Sequence, residues 1–156
     1  MNIAERTGNF EGLRLRPYKC PAGHWTIGYG HKYTAEELER DFPHDQKMGI
    51  TKLWAEQLLR QDVKIAELAC KKLFVGFFDL SENRQAVLVD MMFNLGERRF
   101  RGFKKMIAAV QRNDFDAAAN EIMASAYYRQ LGGDPEGTDD KREERPEENI
   151  RLMRAG

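Results

Sequence analysis

Three side chains near the start of the chain have the types needed for acid–base or nucleophilic chemistry: Glu11, Cys20 and Thr26. Glu11 falls at the end of a short predicted helix, next to Gly12. Carbonyl groups at a helix C-terminus carry partial negative charge and disfavour a carboxylate there. A glutamic acid so placed can stay protonated near neutral pH and serve as a general acid, or it can be an ordinary solvated terminal residue. Cys20 lies in the turn YKCPAG, beside Lys19 and Pro21 and near His24. Structural cysteines prefer apolar cores. Nearby positive charge instead favours a thiolate, which can act as base or nucleophile, although an incidental turn cysteine fits the same position. Thr26, in WTIGYGH, offers a hydroxyl to hold a water, but a β-branched residue in a strand needs no such explanation.

These residues must be positioned by the elements around them. A helix is predicted from about Ile3 to Glu11, stopped by Gly12. Pro17, Pro21, Gly23, Gly28 and Gly30 then punctuate short β-rich pieces at Leu13–Tyr18, Trp25–Gly28 and Lys32–Tyr33, the pattern of a small antiparallel sheet. Thr34 opens a short helix, with Glu37 three residues on as a capping box requires, and Pro43 ends that segment ahead of a loop to Gly49. Thr51 is the expected N-cap of a long helix reaching Leu73, which at ~1.5 Å per residue would span roughly 34 Å. Its apolar face is read as Trp54, Leu58, Leu59, Ile65, Ala66, Ala69 and Leu73. Asp62 lies in phase with that face, and a buried carboxylate needs a partner.

Ser81 caps the next helix, which ends at Gly96 and is apolar on nearly every side, as a helix at the centre of a lobe should be. Amphipathic helices follow near Phe103–Arg112 and Phe115–Tyr127. The stretch Leu131–Asp140 reads as a loop, and a last helix carries Arg145 to Arg154 with Pro146 in its first turn. The expected fold is α+β and mostly helical, one domain in two lobes. Residues 12–50 form a small β-containing lobe, 51–73 a connecting helix, and 1–11 with 74–156 a helical lobe. A cleft between such lobes is the natural place for a substrate.

Composition narrows the function classes. The chain has 156 residues, 42% hydrophobic and 32% charged, which suits a globular domain with a core of its own. No apolar run of about 18 residues is present, so no membrane insertion is expected. The polar N-terminus MNIAERTGNFEG lacks the apolar core of a signal peptide, so synthesis and accumulation in a cytoplasm are expected. The 25 basic and 25 acidic residues cancel, which argues against a dedicated nucleic-acid binder. Two cysteines make no disulfide scaffold, and both are read as free thiols, with Cys70 structural or incidental. A metal site from His31, His24 and Cys20 matches no common zinc spacing, so no metal and no cofactor is expected.

Taken together, the spacing is far more specific than its parts: a Glu, eight residues, a Cys, five residues and a Thr, set within FEGLRLRPY and WTIGYGH. This stretch resembles the catalytic region of the phage-type lysozymes of glycoside hydrolase family twenty-four, whose pattern admits Asp or Cys at the middle position. LLRQDVKIAE resembles the family's connecting helix, MMFNLGERRFRGF its segment at the cleft wall, and ASAYYRQ and RPEENIRLMRAG its last helices. The resemblance is weakest at Ala35–Gly49 and Leu131–Glu144.

The resemblance implies hydrolysis of the β-1,4 bond between N-acetylmuramic acid and N-acetylglucosamine in bacterial peptidoglycan. It makes Glu11 the general acid. Cys20 would act on the opposite side of the sugar ring as base, nucleophile or electrostatic stabiliser, and Thr26 would hold water. It pairs His31 with Asp62 in a structural ion pair joining sheet to helix. It places Phe93, Asn94 and Gly96 at the substrate, with Arg145 near the catalytic Glu. The implied protein is a monomeric phage or prophage endolysin, with peptidoglycan as its partner, released from the host cytoplasm through a holin. Arg98, Arg99, Arg101, Lys104 and Lys105 form a basic cluster that could assist approach to an anionic wall or be a solvated helix face, offset in charge by acidic residues in Asp134–Glu148. Two other functions fit parts of the pattern: a lytic transglycosylase working with one catalytic acid, and a peptidoglycan-binding module without catalysis.

Overall fold

In the computed structural model, residues 2–40, 48–131 and 144–156 are described. The expected break at Pro43 and nearly all of the expected Leu131–Asp140 loop lie outside them. The chain divides into two compact units, Ala4–Lys64 and Met1–Ile3 with Ile65–Gly156. The first helix, expected to go with the helical lobe, belongs from Ala4 onward to the unit that holds the sheet.

The first unit opens with α1 (Ile3–Phe10), one residue shorter than expected, so that Glu11 stands just beyond the helix. Three strands follow: β1 (Arg14–Lys19), β2 (Trp25–Gly28) and β3 (His31–Lys32). They form an antiparallel sheet in the order β1-β2-β3, with Thr26 on the central strand between Tyr18 and Lys32. Two strands are shifted by about one residue from their expected bounds. Helix α2 (Ala35–Arg40) starts with the anticipated reciprocal cap. The Thr34 amide donates to Glu37 Oε2 at 2.7 Å, and the Glu37 amide donates to the Thr34 hydroxyl at 3.2 Å.

Helix α3 (Lys52–Leu73) also begins as read, with the Trp54 amide donating to the Thr51 hydroxyl at 3.1 Å. Its buried face differs from the expected one. Ala55, Leu59, Val63, Ala66 and Cys70 are buried, whereas Trp54 and Ile65 are 54% and 66% exposed. Close approach decides this. A Cβ at Gly28 would lie 3.3 Å from the Ala55 Cβ, and one at Gly8 would lie 2.9 Å from a Leu59 methyl. Small groups at 8, 28 and 55 let α1, β2 and α3 come together, which favours Ala55 over the larger Trp54 as the inward residue.

In the second unit, α4 (Glu82–Leu95) is the central helix. Ser81 accepts from the Arg84 amide, Gly96 caps the C-terminus at φ 74°, and Ala86 to Met92 are all buried. A 3₁₀ turn (Phe77–Asp79) and α5 (Glu97–Phe100) are short elements that periodicity did not reveal. Helix α6 (Lys104–Gln111) follows. The helix expected over Phe115–Tyr127 is two, α7 (Phe115–Met123) and α8 (Ala126–Leu131). Ser125 divides them: its hydroxyl donates to the Ile122 carbonyl at 2.6 Å and accepts from the Tyr128 amide at 3.2 Å, ending one helix and capping the next. Helix α9 (Glu144–Ala155) packs on α4, α7 and α8. Arg84 donates to the carbonyls of Met153 and Arg154, and Asn83 to that of Gly156, which satisfies the C-terminal end of α9.

Candidate active site

Glu11 is held between the end of α1 and the turn joining β2 to β3. The turn is tight because Ile27 pairs with His31, leaving Gly28, Tyr29 and Gly30 to reverse the chain. Gly30 has φ +88°, where an L side chain is strained. A Cβ at that position would stand 3.5 Å from Glu11 Oε2, so the turn brings bare backbone up to the carboxyl group. Glu11 is half-buried.

Cys20 and Thr26 are brought together by the hairpin between β1 and β2. The Gly23 amide donates to the Cys20 carbonyl at 2.8 Å, closing a turn with Pro21 second and Gly23 fourth, both favoured there. The Cys20 amide then donates to the His24 carbonyl at 2.9 Å, and the Thr26 hydroxyl donates to the same carbonyl at 3.0 Å. Thr26 is 2% exposed, while Cys20 is half-buried and a free thiol. Removal from water raises the Cys20 pKa. Backbone hydrogen bonds at His24 and Ala22, a hydrogen bond with Thr26 and the charge of Lys32 together outweigh it, and the thiol is held below its ordinary value. Cys70, the other free thiol, is fully buried, and burial with the nearby Glu67 carboxylate pushes it up to about 12.

His31 sits at the far end of the same turn. Its Nδ1 lies 2.9 Å from Asp62 Oδ2 and its Nε2 lies 3.3 Å from Glu37 Oε1. The hydrogen bond with Asp62 is the largest influence and raises the His31 pKa. Burial opposes it, and the charges of Asp62 and Glu37 add to it. Both ring nitrogens are thus committed to carboxylates, which removes His31 from the alternative metal set with His24 and Cys20. Among the described residues, no three His, Cys, Asp or Glu side chains converge on a metal position. The role of Glu37 toward His31 was missed in the sequence. Its only signal there was the capping box, whose Glu turns out to serve two partners.

Residues 8–145 match the phage lysozyme family. The chain belongs to that family. The match takes in Glu11, Cys20 and Thr26 and ends at Arg145. Among relatives, an endolysin of Acyrthosiphon pisum secondary endosymbiont phage 1 is 31% identical over 130 residues, covering 79% of each chain. A probable T4-type lysozyme 2 of Dictyostelium discoideum is 27% identical over 137 residues, covering 77% of this chain and 81% of its own. The endolysin of Salmonella phage P22 is 27% identical over 128 residues, covering 81% and 80%. As a member of this lysozyme family, the protein is a glycoside hydrolase.

In this family member, Phe93, Asn94, Gly96 and Arg145 belong to the second unit. Phe93 and Asn94 are half-buried at the end of α4, and Gly96 is exposed at its C-cap. Arg145, which the resemblance sets near the catalytic Glu, is 1% exposed. Its Nε and a terminal nitrogen bind Asp90 at 2.9 and 2.8 Å. Asn149 adds a bond to Asp90 at 3.1 Å and another to the Tyr127 hydroxyl at 3.1 Å. Arg145 neutralises Asp90, which is itself fully buried. The network is invisible in the sequence because its bonded partners are 22 to 59 residues apart.

Proposed function

We propose that this lysozyme cleaves the β-1,4 bond between N-acetylmuramic acid and N-acetylglucosamine, with Glu11 as general acid and the Cys20 thiolate as general base. The Cys20 amide and the Thr26 hydroxyl meet on the His24 carbonyl, in the unit that also carries Glu11, and this juxtaposition is the observation that supports this division of labour. Glu11 gives its proton to the leaving glycosidic oxygen. A water on the other face of the ring loses a proton to the Cys20 sulfur and attacks the anomeric carbon. The Thr26 hydroxyl carries one proton. It donates it to the His24 carbonyl while Cys20 is a thiol and turns toward sulfur when the thiolate forms, leaving its oxygen to accept from water. Exchange with solvent restores both groups.

The enzyme is a phage lysis enzyme acting on the cell wall, and peptidoglycan is its substrate. Among the described residues, no helix is long and apolar enough to cross a membrane. The finer reading is a monomer that accumulates in the host cytoplasm and reaches the wall through a holin lesion, with Phe93, Asn94 and Gly96 at the sugar chain.

Digestion of purified sacculi with the wild type and with Glu11→Gln tests the proposal by mass spectrometry of the products. Reducing muramic acid ends, lost in the variant, are the expected result. Anhydro ends would move the assignment to a transglycosylase, and binding without soluble products would make the protein a wall-binding module.

A further inference from the structure

Cys20 directly follows Lys19, so chain order offers Lys19 as the cation beside the thiol. The sheet places the charge elsewhere. Side chains alternate between the two faces of a strand, and residues paired across strands share a face. Lys19 pairs with Trp25, and its Nζ lies 5.3 Å from the centre of the Trp25 ring. Alternation sets that ammonium on the face away from Cys20, where the aromatic ring holds it. Thr26, by contrast, pairs with Tyr18 on one side and with Lys32 on the other. The bond from the Cys20 amide to the His24 carbonyl, at 2.9 Å, carries the pairing of β1 with β2 one step past Lys19. Cys20 therefore shares the face of Tyr18, Thr26 and Lys32.

Lys32 is exposed at the sheet edge and, among the described residues, makes no ion pair, so no carboxylate neutralises it there. Its positive charge favours the ionised form of Cys20. The other ionisable groups about the sheet are placed differently. His31 alternates to the opposite face from Lys32 and is held by Asp62 and Glu37. Arg14 lies over the Tyr18 ring, 4.4 Å from its centre. Glu11 meets the turn at Gly30 and, as the acid of the proposed reaction, carries a proton. His24 stands opposite Cys20 and is exposed. The chemistry explains why a cation is needed. An aspartate in place of Cys20 would be ionised at neutral pH without help, whereas an ordinary thiol is mostly protonated there.

We propose that Lys32, and not the adjacent Lys19, is the positioning residue that supplies the positive charge beside the Cys20 sulfur and keeps it as a thiolate. This rests on the reading of Cys20 as the general base.

The test records two profiles against pH at low salt, the rate of Cys20 alkylation by iodoacetamide and the rate of sacculus hydrolysis. In K32M both rising limbs should move up by about half a pH unit, with a loss of about threefold in rate below the thiol pKa, the size expected of one exposed charge. K32R should restore the wild-type profiles, while K19M and H24Q should leave the alkylation profile in place. Salt at about 1 M should move the wild type toward K32M and leave K32M where it is. In a Cys20→Asp background, Lys32→Met should leave the rate at neutral pH unchanged, which a merely structural role for Lys32 would not allow. If the alkylation profile of folded K32M coincides with that of the wild type, or if K19M or H24Q moves it as far, the assignment to Lys32 is overturned. If alkylation shifts in K32M but hydrolysis does not, the assignment is upheld and the base reading of Cys20 alone falls.

Discussion

Cys20 and Thr26 share a single acceptor: the His24 carbonyl receives the Cys20 amide at 2.9 Å and the Thr26 hydroxyl at 3.0 Å. The position of the thiol is therefore tied to the hydroxyl beside it, and the proton on one depends on the charge of the other.

If the thiolate is the working form, activity rises with pH through the Cys20 pKa, which lies below that of an ordinary thiol. Thr26→Val keeps the shape of the side chain and removes the hydrogen bond, so the rising limb of the pH–rate profile should move upward. Cys20→Ala should cost at least about a hundredfold in kcat/KM, whereas Cys20→Asp, which the family pattern admits, should retain far more activity. A profile that stays put in Thr26→Val would separate the hydroxyl from the titration.

The two cysteines should react very differently. A thiol reagent at neutral pH should label Cys20 in the folded protein and abolish hydrolysis in step with labelling. Cys70, buried and with its pKa pushed up to about 12, should react only after unfolding. Peptide mapping of the labelled protein with and without denaturant checks both. Full labelling of Cys20 with activity intact would rule out the thiolate role.

His31 bears on stability with a definite sign. Its pKa is raised in the folded state, mainly by the hydrogen bond with Asp62, above the value of roughly 6.5 for a free imidazole. The stabilisation is complete below that free value and fades as pH rises through the raised one. Asp62→Asn should therefore lower the unfolding free energy by about 2 kcal/mol at about pH 5.5, and by clearly less at about pH 9. Urea melts at the two pH values measure this. An equal loss at both would show that the pair acts through packing rather than charge.

The pair formed by Asp90 and Arg145 should be costly to break. Removing one partner leaves the other charge buried, so Arg145→Met is expected to lose about 3–5 kcal/mol in chemical denaturation. A double variant, Asp90→Leu with Arg145→Met, should recover part of that loss. A single variant as stable as wild type would mean that water reaches Asp90.

Much of the fold is legible locally. Thr34 with Glu37, Thr51 and Ser81 start their helices through hydrogen bonds to residues three positions on, and such bonds depend on little beyond neighbouring residue types. The apolar residues on nearly every side of the helix, Ala86 to Val89 with Met91 and Met92, mark a central helix. The spacing of Glu11, Cys20 and Thr26 carries the resemblance to the family. Other features had to wait for the tertiary structure. Helix α3 carries apolar residues on more than one face, and only the close approach of Gly8 and Gly28 to Leu59 and Ala55 chooses which face turns inward. Glu37 reaches His31, and Arg145 becomes the counter-charge of Asp90, because folding places side chains together that are remote in the chain. Local hydrogen bonds and periodicity determine which residues form a helix or a turn. Which face is buried, and which charge meets which, is decided by packing, since its energy depends on partners that the local sequence does not contain.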